Sequence, residues 1–233
     1  MRQTIQTYFE AFAQLLFPNL CPACGNNLQK NQMLCFECDS NLPQTNFHRQ
    51  QENTVMERFY GRVEIENGCA LFWFIKSGKV QQLIHQLKYR GNTEIGVFLG
   101  SMYGKILVET NAYRTIDLII PVPLHPKKEK QRGYNQSDTI AQGLSKSMMI
   151  PWQRDILIRT VYTASQTNKS SLDRFENVKD SFTVTQPNLI QNKHILLVDD
   201  VLTTGATLEA CANKLLEIEG CKVSVAVLAI AES

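Results

Sequence analysis

Two kinds of apolar pattern alternate along this chain of 233 residues. Short, nearly unbroken apolar runs at 69–75, 118–122, 195–199 and 223–230 read as strands buried on both faces, with a shorter one at 156–159. Between them the spacing turns helical. Val80, Leu83, Ile84 and Leu87 share one face of a helix over 80–89, and further helices are expected over 94–109, 135–148 and 206–219. Pro121 and Pro123 stop the second strand, and residues 160–179 form a long polar loop. Strands alternating with helices predict an α/β domain, a mostly parallel sheet with helices on both faces.

The N-terminal part has a different character. Ile5, Tyr8, Phe9, Phe12, Leu15 and Leu16 recur at helical spacing among Gln3, Gln6, Glu10 and Gln14, so an amphipathic helix is expected rather than a signal peptide. No window approaches the roughly 20 apolar residues of a membrane span, and a cytoplasmic protein without membrane insertion is expected. The chain divides into a helix with a four-cysteine unit at 1–43, a polar linker at 44–62 and the α/β domain at 63–233. A hydrophobic fraction of 43% with 20% charged residues suits a globular fold, while a net charge of +2 neither requires nor excludes nucleic acid.

Four of the seven cysteines lie in the pattern C-x2-C-x10-C-x2-C: Cys21, Cys24, Cys35 and Cys38. Each pair can place two thiolates on one metal, and four thiolates complete a tetrahedral zinc with no open position, so a structural zinc ribbon is expected. Cys69, Cys211 and Cys221 fall in apolar or helical settings as buried thiols.

The strongest candidate for chemistry follows the strand at 195–199. Two adjacent carboxylates, Asp199 and Asp200, precede Val201, Leu202, Thr203, Thr204, Gly205, Ala206 and Thr207 at the start of a helix. Gly205 allows a tight turn, and amides and hydroxyls beside a helix N-terminus make an anion site. The acids would repel a phosphate, so they suit the hydroxyls of a sugar diol; together the two features describe a ribose 5-phosphate. Upstream, residues 117–126 end a strand in a proline-stiffened loop containing Val122, Pro123 and Leu124. Lys127, Lys128, Lys130 and Arg132 follow, then Gly133, Tyr134, Asn135 and Gln136. Lys88, Tyr89, Arg90 and Gly91 end a helix, where cations also complement the helix dipole.

The string from Asp199 to Thr207 resembles the signature of type I phosphoribosyltransferases. That resemblance implies binding of phosphoribosyl pyrophosphate (PRPP) through Asp199, Asp200, Thr203, Thr204, Gly205, Ala206 and Thr207. The stretch from Ile120 to Pro123 is similar to the pyrophosphate loop of glutamine amidophosphoribosyltransferases, which adds Val122, Pro123 and Leu124 as binding residues, and Lys88 at the end of its helix is a further candidate to face the substrate. A loop between these two closes over the reacting centre in such transferases, and Lys169 and Arg174 are its candidates to meet the departing pyrophosphate. The resemblance further implies magnesium with PRPP and catalytic roles for Asp199, Asp200, Lys169 and Arg174.

Taken together, the four-cysteine unit, the strings from Leu87 to Gly91, Pro121 to His125 and Arg132 to Gln136, and the PRPP loop resemble the ComF family. This family is phosphoribosyltransferase-like, and the likeness spans nearly the whole chain. Lys127 and Lys128 stand where the family often has arginine, which removes bidentate phosphate contacts there. The resemblance implies DNA uptake and natural transformation, with transfer of phosphoribosyl to an acceptor that the sequence does not name. No glutaminase segment precedes the domain, so ammonia from glutamine is not an expected acceptor. A non-catalytic single-stranded-DNA-binding competence factor with PRPP as effector is the alternative. Single-stranded DNA and a DNA-uptake helicase are the implied partners beyond PRPP.

Overall fold

The computed structural model describes residues 18–29, 31–160 and 181–231. The expected N-terminal helix, and Lys169 and Arg174 of the polar loop, lie outside the described residues. The strands are β1 (Gly68–Phe74), β2 (Leu118–Pro121), β3 (Leu157–Arg159), β4 (Phe182–Val184), β5 (His194–Leu202) and β6 (Lys222–Ala231). Four of them form a parallel sheet in the order β1-β6-β5-β2, while β3 and β4 pair antiparallel in a separate ribbon. β6 lies inside the sheet, and residues 223–230 are all buried, which is why its sequence is an apolar run without alternation.

The helices are α1 (Phe36–Asn41), α2 (Thr54–Glu57), α3 (Lys79–Tyr89), α4 (Thr93–Val108), α5 (Pro126–Arg132), α6 (Gln136–Met148) and α7 (Ala206–Leu216). The chain steps from β1 across to β2, then continues outward to Trp152, which bridges Ile119 in parallel. It then returns to β5 and steps back towards β1 through β6. Right-handed crossovers therefore put α4 and α6 over one face and α7 over the other. α4 and α6 approach through glycines. A Cβ on Gly100 would lie 2.3 Å from the Ile140 carbonyl oxygen, and one on Gly143 would lie 2.2 Å from that of Val97. Alanine at either position would push the helices apart, and with them the start of α6.

Three elements differ from the sequence expectation. The strand expected to end at Asp199 continues to Leu202, because Val201 and Leu202 still pair with Ala229 and Ile230 of β6. Residues after the proline loop fold into α5, with the His125 side chain accepting from the Lys127 N–H at 3.1 Å and Gly133 ending the helix at φ +88°. The first residues of the polar loop's far side form β4, so its base is a two-stranded ribbon.

The stretch 44–62 is polar in sequence but packed. Residues 43–45 run along β1, with Trp73 N–H donating to Pro43 O at 2.8 Å and Thr45 N–H to Leu71 O at 3.1 Å. That covers an otherwise open sheet edge. Phe47 stands edge-on to Trp73 with ring centroids 5.1 Å apart, and Val55 and Phe59 are fully buried. Asn53 caps α2 and donates from its side chain to Gly68 O at 3.0 Å. Among the described residues, no helix is long and apolar enough to cross a membrane.

Candidate functional site

β2 and β5 are neighbours, yet the chain leaves them on opposite faces of the sheet. Such a reversal opens a crevice beyond the carboxyl ends of the two strands, where α/β sheets take their ligands. Asp199 and Asp200 sit at that end of β5, and Pro121 to Leu124 at that end of β2. Val122 N–H donates to Val198 O at 2.8 Å, so the two loops are joined immediately before the acids.

The acids are held from two sides. Ser137 Oγ donates to Asp199 Oδ1 at 2.9 Å, and the Asp200 N–H donates to the same oxygen at 2.8 Å. Gln136 Nε2 donates to Asp200 Oδ2 at 3.2 Å, and Lys88 Nζ lies 2.9 Å from Asp200 Oδ1. Gln136 and Ser137 open α6, which is capped by Asn135. The Asn135 amide also donates to Val122 O at 3.0 Å, so one side chain fixes both the helix start and the proline loop. Burial, followed by repulsion from the Asp200 carboxylate, pushes Asp199 up to about 7; the bonds from the Asp200 N–H and Ser137 and the charge of Lys88 only partly oppose this.

Beyond the acids, Thr203 and Thr204 are exposed, Gly205 is buried at φ +82°, and Ala206 begins α7. The left-handed Gly205 is what lets the chain leave a strand and enter a helix within three residues. The helix N-terminus and two exposed threonines thus lie within a few residues of two carboxylates. A phosphate at the first and a diol at the second is the chemistry this arrangement permits.

The proline loop offers less main chain than its sequence suggests. Val122 has given its N–H to Val198 and its carbonyl to Asn135, and Pro123 has no N–H. Backbone donors from this loop therefore begin at Leu124. Lys127, Lys128 and Lys130 are exposed on α5, and the Arg132 guanidinium lies 5.6 Å from the centroid of the Tyr89 ring. Lys88 reaches the acids from its position at the end of α3.

Several partners escaped sequence reasoning. Gln136 ends a visible motif and Ser137 follows it, but their pairing with acids more than 60 positions away depends on the register of β5. Arg159, at the end of β3, lies 5.2 Å over the Phe182 ring. Burial lowers its affinity for a proton, and nearby Cys211 and Asp199 oppose that shift. Arg62 donates to the Thr204 carbonyl at 3.0 Å from within the stretch read as a linker.

The four N-terminal cysteines come together as expected. Their Sγ atoms all lie within 4.8 Å of one another, with Cys24 and Cys35 at 3.6 Å. Four sulfurs at about 2.3 Å from a central zinc would be about 3.8 Å apart, so the cluster fits a tetrahedral metal. Burial raises the Cys21 thiol, but backbone N–H groups of Cys35, Ala23 and Cys24 outweigh it and bring the thiol to about 7, whereas burial and the neighbouring cysteines push Cys38 up. Gly25, at φ +79°, turns the chain after the first pair, and Cys35 leads directly into α1, which carries Cys38.

The sequence profile of the phosphoribosyl transferase domain matches residues 135–232, the span that carries both acids, their α6 partners and the threonine loop. Fold and site together define a type I phosphoribosyltransferase-like protein with a small N-terminal cysteine unit. Its relatives narrow the class. A DNA utilization protein YhgH of Escherichia coli O157:H7 is 31% identical over 216 residues, covering 88% of each chain. Competence protein F of Haemophilus influenzae is 36% identical over 110 residues, 47% of this chain and 48% of its own. Competence protein ComFC of Bacillus subtilis is 24% identical over 203 residues, 85% of this chain and 72% of its own. The chain belongs to the ComF family of competence and DNA-utilization proteins.

Proposed function

We propose that the chain binds PRPP with magnesium at the carboxyl ends of β2 and β5 and transfers its phosphoribosyl group to an acceptor, releasing pyrophosphate. The observation that carries this is the acid pair, oriented by Ser137, Gln136 and Lys88 and followed at once by a threonine-rich helix N-terminus. Asp199 and Asp200 accept hydrogen bonds from the ribose hydroxyls and face the positive charge that grows on the ring. Thr203 to Thr207 take the 5′-phosphate, while Leu124 and Lys88 face the pyrophosphate side. Magnesium, held mainly by PRPP oxygens and water, would neutralise charge on the leaving group. The bond from ribose C1 to the pyrophosphate oxygen breaks, and its electron pair leaves with pyrophosphate. The acceptor's lone pair forms the new bond to C1, and the acceptor loses its proton. Positioning and charge neutralisation supply most of the rate. Lys169 and Arg174 complete the pyrophosphate side in this reading, and zinc is held by Cys21, Cys24, Cys35 and Cys38 as a structural ion.

A second reading has its own observation. Tyr89 is 67% exposed, with His85 at 4.9 Å on one side and Arg132 at 5.6 Å, close in sequence to the exposed lysines of α5. A fixed aromatic among cations suits single-stranded DNA by stacking and charge. In that reading PRPP is an effector of a DNA-uptake factor, with an uptake helicase as a further partner. Pyrophosphate release from PRPP, measured with magnesium and with or without single-stranded DNA, separates the two. Turnover supports transfer; DNA binding that responds to PRPP without any release supports the effector.

A further inference from the structure

The stretch 54–62 does more than join the cysteine unit to the sheet. Arg62 Nη1 donates to Thr204 O and to Arg58 O, each at 3.0 Å. Its other terminal nitrogen, Nη2, forms an ion pair with Glu209, in the first turn of α7. The Glu209 side chain is 5% exposed and that of Arg62 29%. Phe59, itself fully buried, lies where a Cβ on Gly205 would be 3.5 Å from its ring. One arginine and one phenylalanine from a distant stretch therefore grip the loop from behind.

The physical consequence lies in the peptide between Thr204 and Gly205. That unit is planar and trans, so its N–H points opposite to its carbonyl. Holding Thr204 O towards Arg62 aims the Gly205 N–H away from Arg62. Gly205 tolerates either hand of φ, so without the clamp this peptide turns over at little steric cost. Glu209 poses a second problem. A carboxylate in the first turn of α7 opposes an anion at the same helix end, and a buried carboxylate needs a counter-charge. Arg62 meets both demands with one planar group.

We propose that Arg62 is a positioning residue for the 5′-phosphate loop, fixing the direction of its amides and cancelling the charge of Glu209. This rests on reading Thr203 to Thr207 as that loop. The connection from the cysteine unit to the sheet is then a working wall of the site, and its loss impairs ligand binding without touching the acids.

The test compares wild type, Arg62→Gln and Arg62→Lys in two measurements. Hydrogen exchange on the ligand-free chain reads the loop itself and needs no ligand. Arg62→Gln should speed exchange of amides 204–207 about tenfold, the scale of one lost charge-assisted hydrogen bond, while β6 amides stay unchanged. Titration with magnesium PRPP and with ribose 5-phosphate should then show both weakened by the same factor, since both carry the 5′-phosphate. Arg62→Lys, which keeps the charge but not the fork, should recover part of each effect. If Arg62→Gln does not fold, Arg62→Gln with Glu209→Gln removes the stranded charge and should show the same faster loop exchange. Unchanged exchange at 204–207 in the folded variant overturns the proposal, as does a loss confined to PRPP with ribose 5-phosphate unaffected. A wild-type chain that binds neither ligand overturns the loop assignment itself, and is seen before any variant is made.

Discussion

The two loops that leave β2 and β5 lie side by side, yet they are rigid for opposite reasons. The β2 loop carries its stiffness within itself: Pro121, Pro123 and Pro126 fix φ at three of six positions, and Asn135 ties Val122 to α6. The β5 loop has Gly205 at φ +82° and two exposed threonines, and takes its shape from outside, from Arg62, Phe59 and the pairing of Leu202 with β6. A loop that must present amides to an anion cannot be built of prolines, which have none. It needs glycine and donors, and so it needs a brace. The β2 loop, with few N–H groups to offer, can be stiff and contribute mainly shape.

Substitutions at matched positions break this comparison most strongly. Gly205→Val places a β-branched residue in the left-handed region, and PRPP affinity should fall about 100-fold as the loop moves to relieve the strain. Calorimetry with magnesium PRPP measures it. An effect of comparable size is expected from pH. Asp199 titrates near 7 in the fold and near 4 unfolded, so its share of stability is fully present below pH 4 and is lost as pH rises through 7. Asp199→Asn should therefore gain stability over wild type at pH 8, by about 2–4 kcal/mol in a denaturant titration, and gain nothing at pH 4. A ribose diol needs the ionised carboxylate, so wild-type PRPP affinity should rise as pH is raised through 7. The smallest effect belongs to Pro123→Ala: with β2 and Asn135 still holding the loop, affinity should change by less than about threefold.

Much of this was readable from the chain, and the parts that were not share a cause. The apolar runs of β5 and β6 announced buried parallel strands, and the string from Asp199 to Thr207 announced the phosphoribosyltransferase-like class, because both are local. The clustering of the four cysteines was legible for the same reason, since their paired spacing is local. α5 was hidden because Pro126 and its run of cations look like a loop, although proline is well placed in the first turn of a helix. The stretch 44–62 concealed its packing because Phe47, Val55 and Phe59 are scattered among polar residues with no period. The grip of Arg62 on Thr204, and of Ser137 and Gln136 on the acids, could not be read at all. Those contacts join residues 142, 62 and 64 positions apart, and exist only once the sheet has set its register.

The proposed chemistry depends most on Asp199 and Asp200 forming a diol site beside a phosphate loop. Isothermal titration of magnesium PRPP into wild type and into the double variant Asp199→Ala, Asp200→Ala tests this directly, with circular dichroism confirming the fold. Binding by wild type and its disappearance in a folded double variant is the predicted result. Unchanged PRPP affinity in that folded variant would contradict the account.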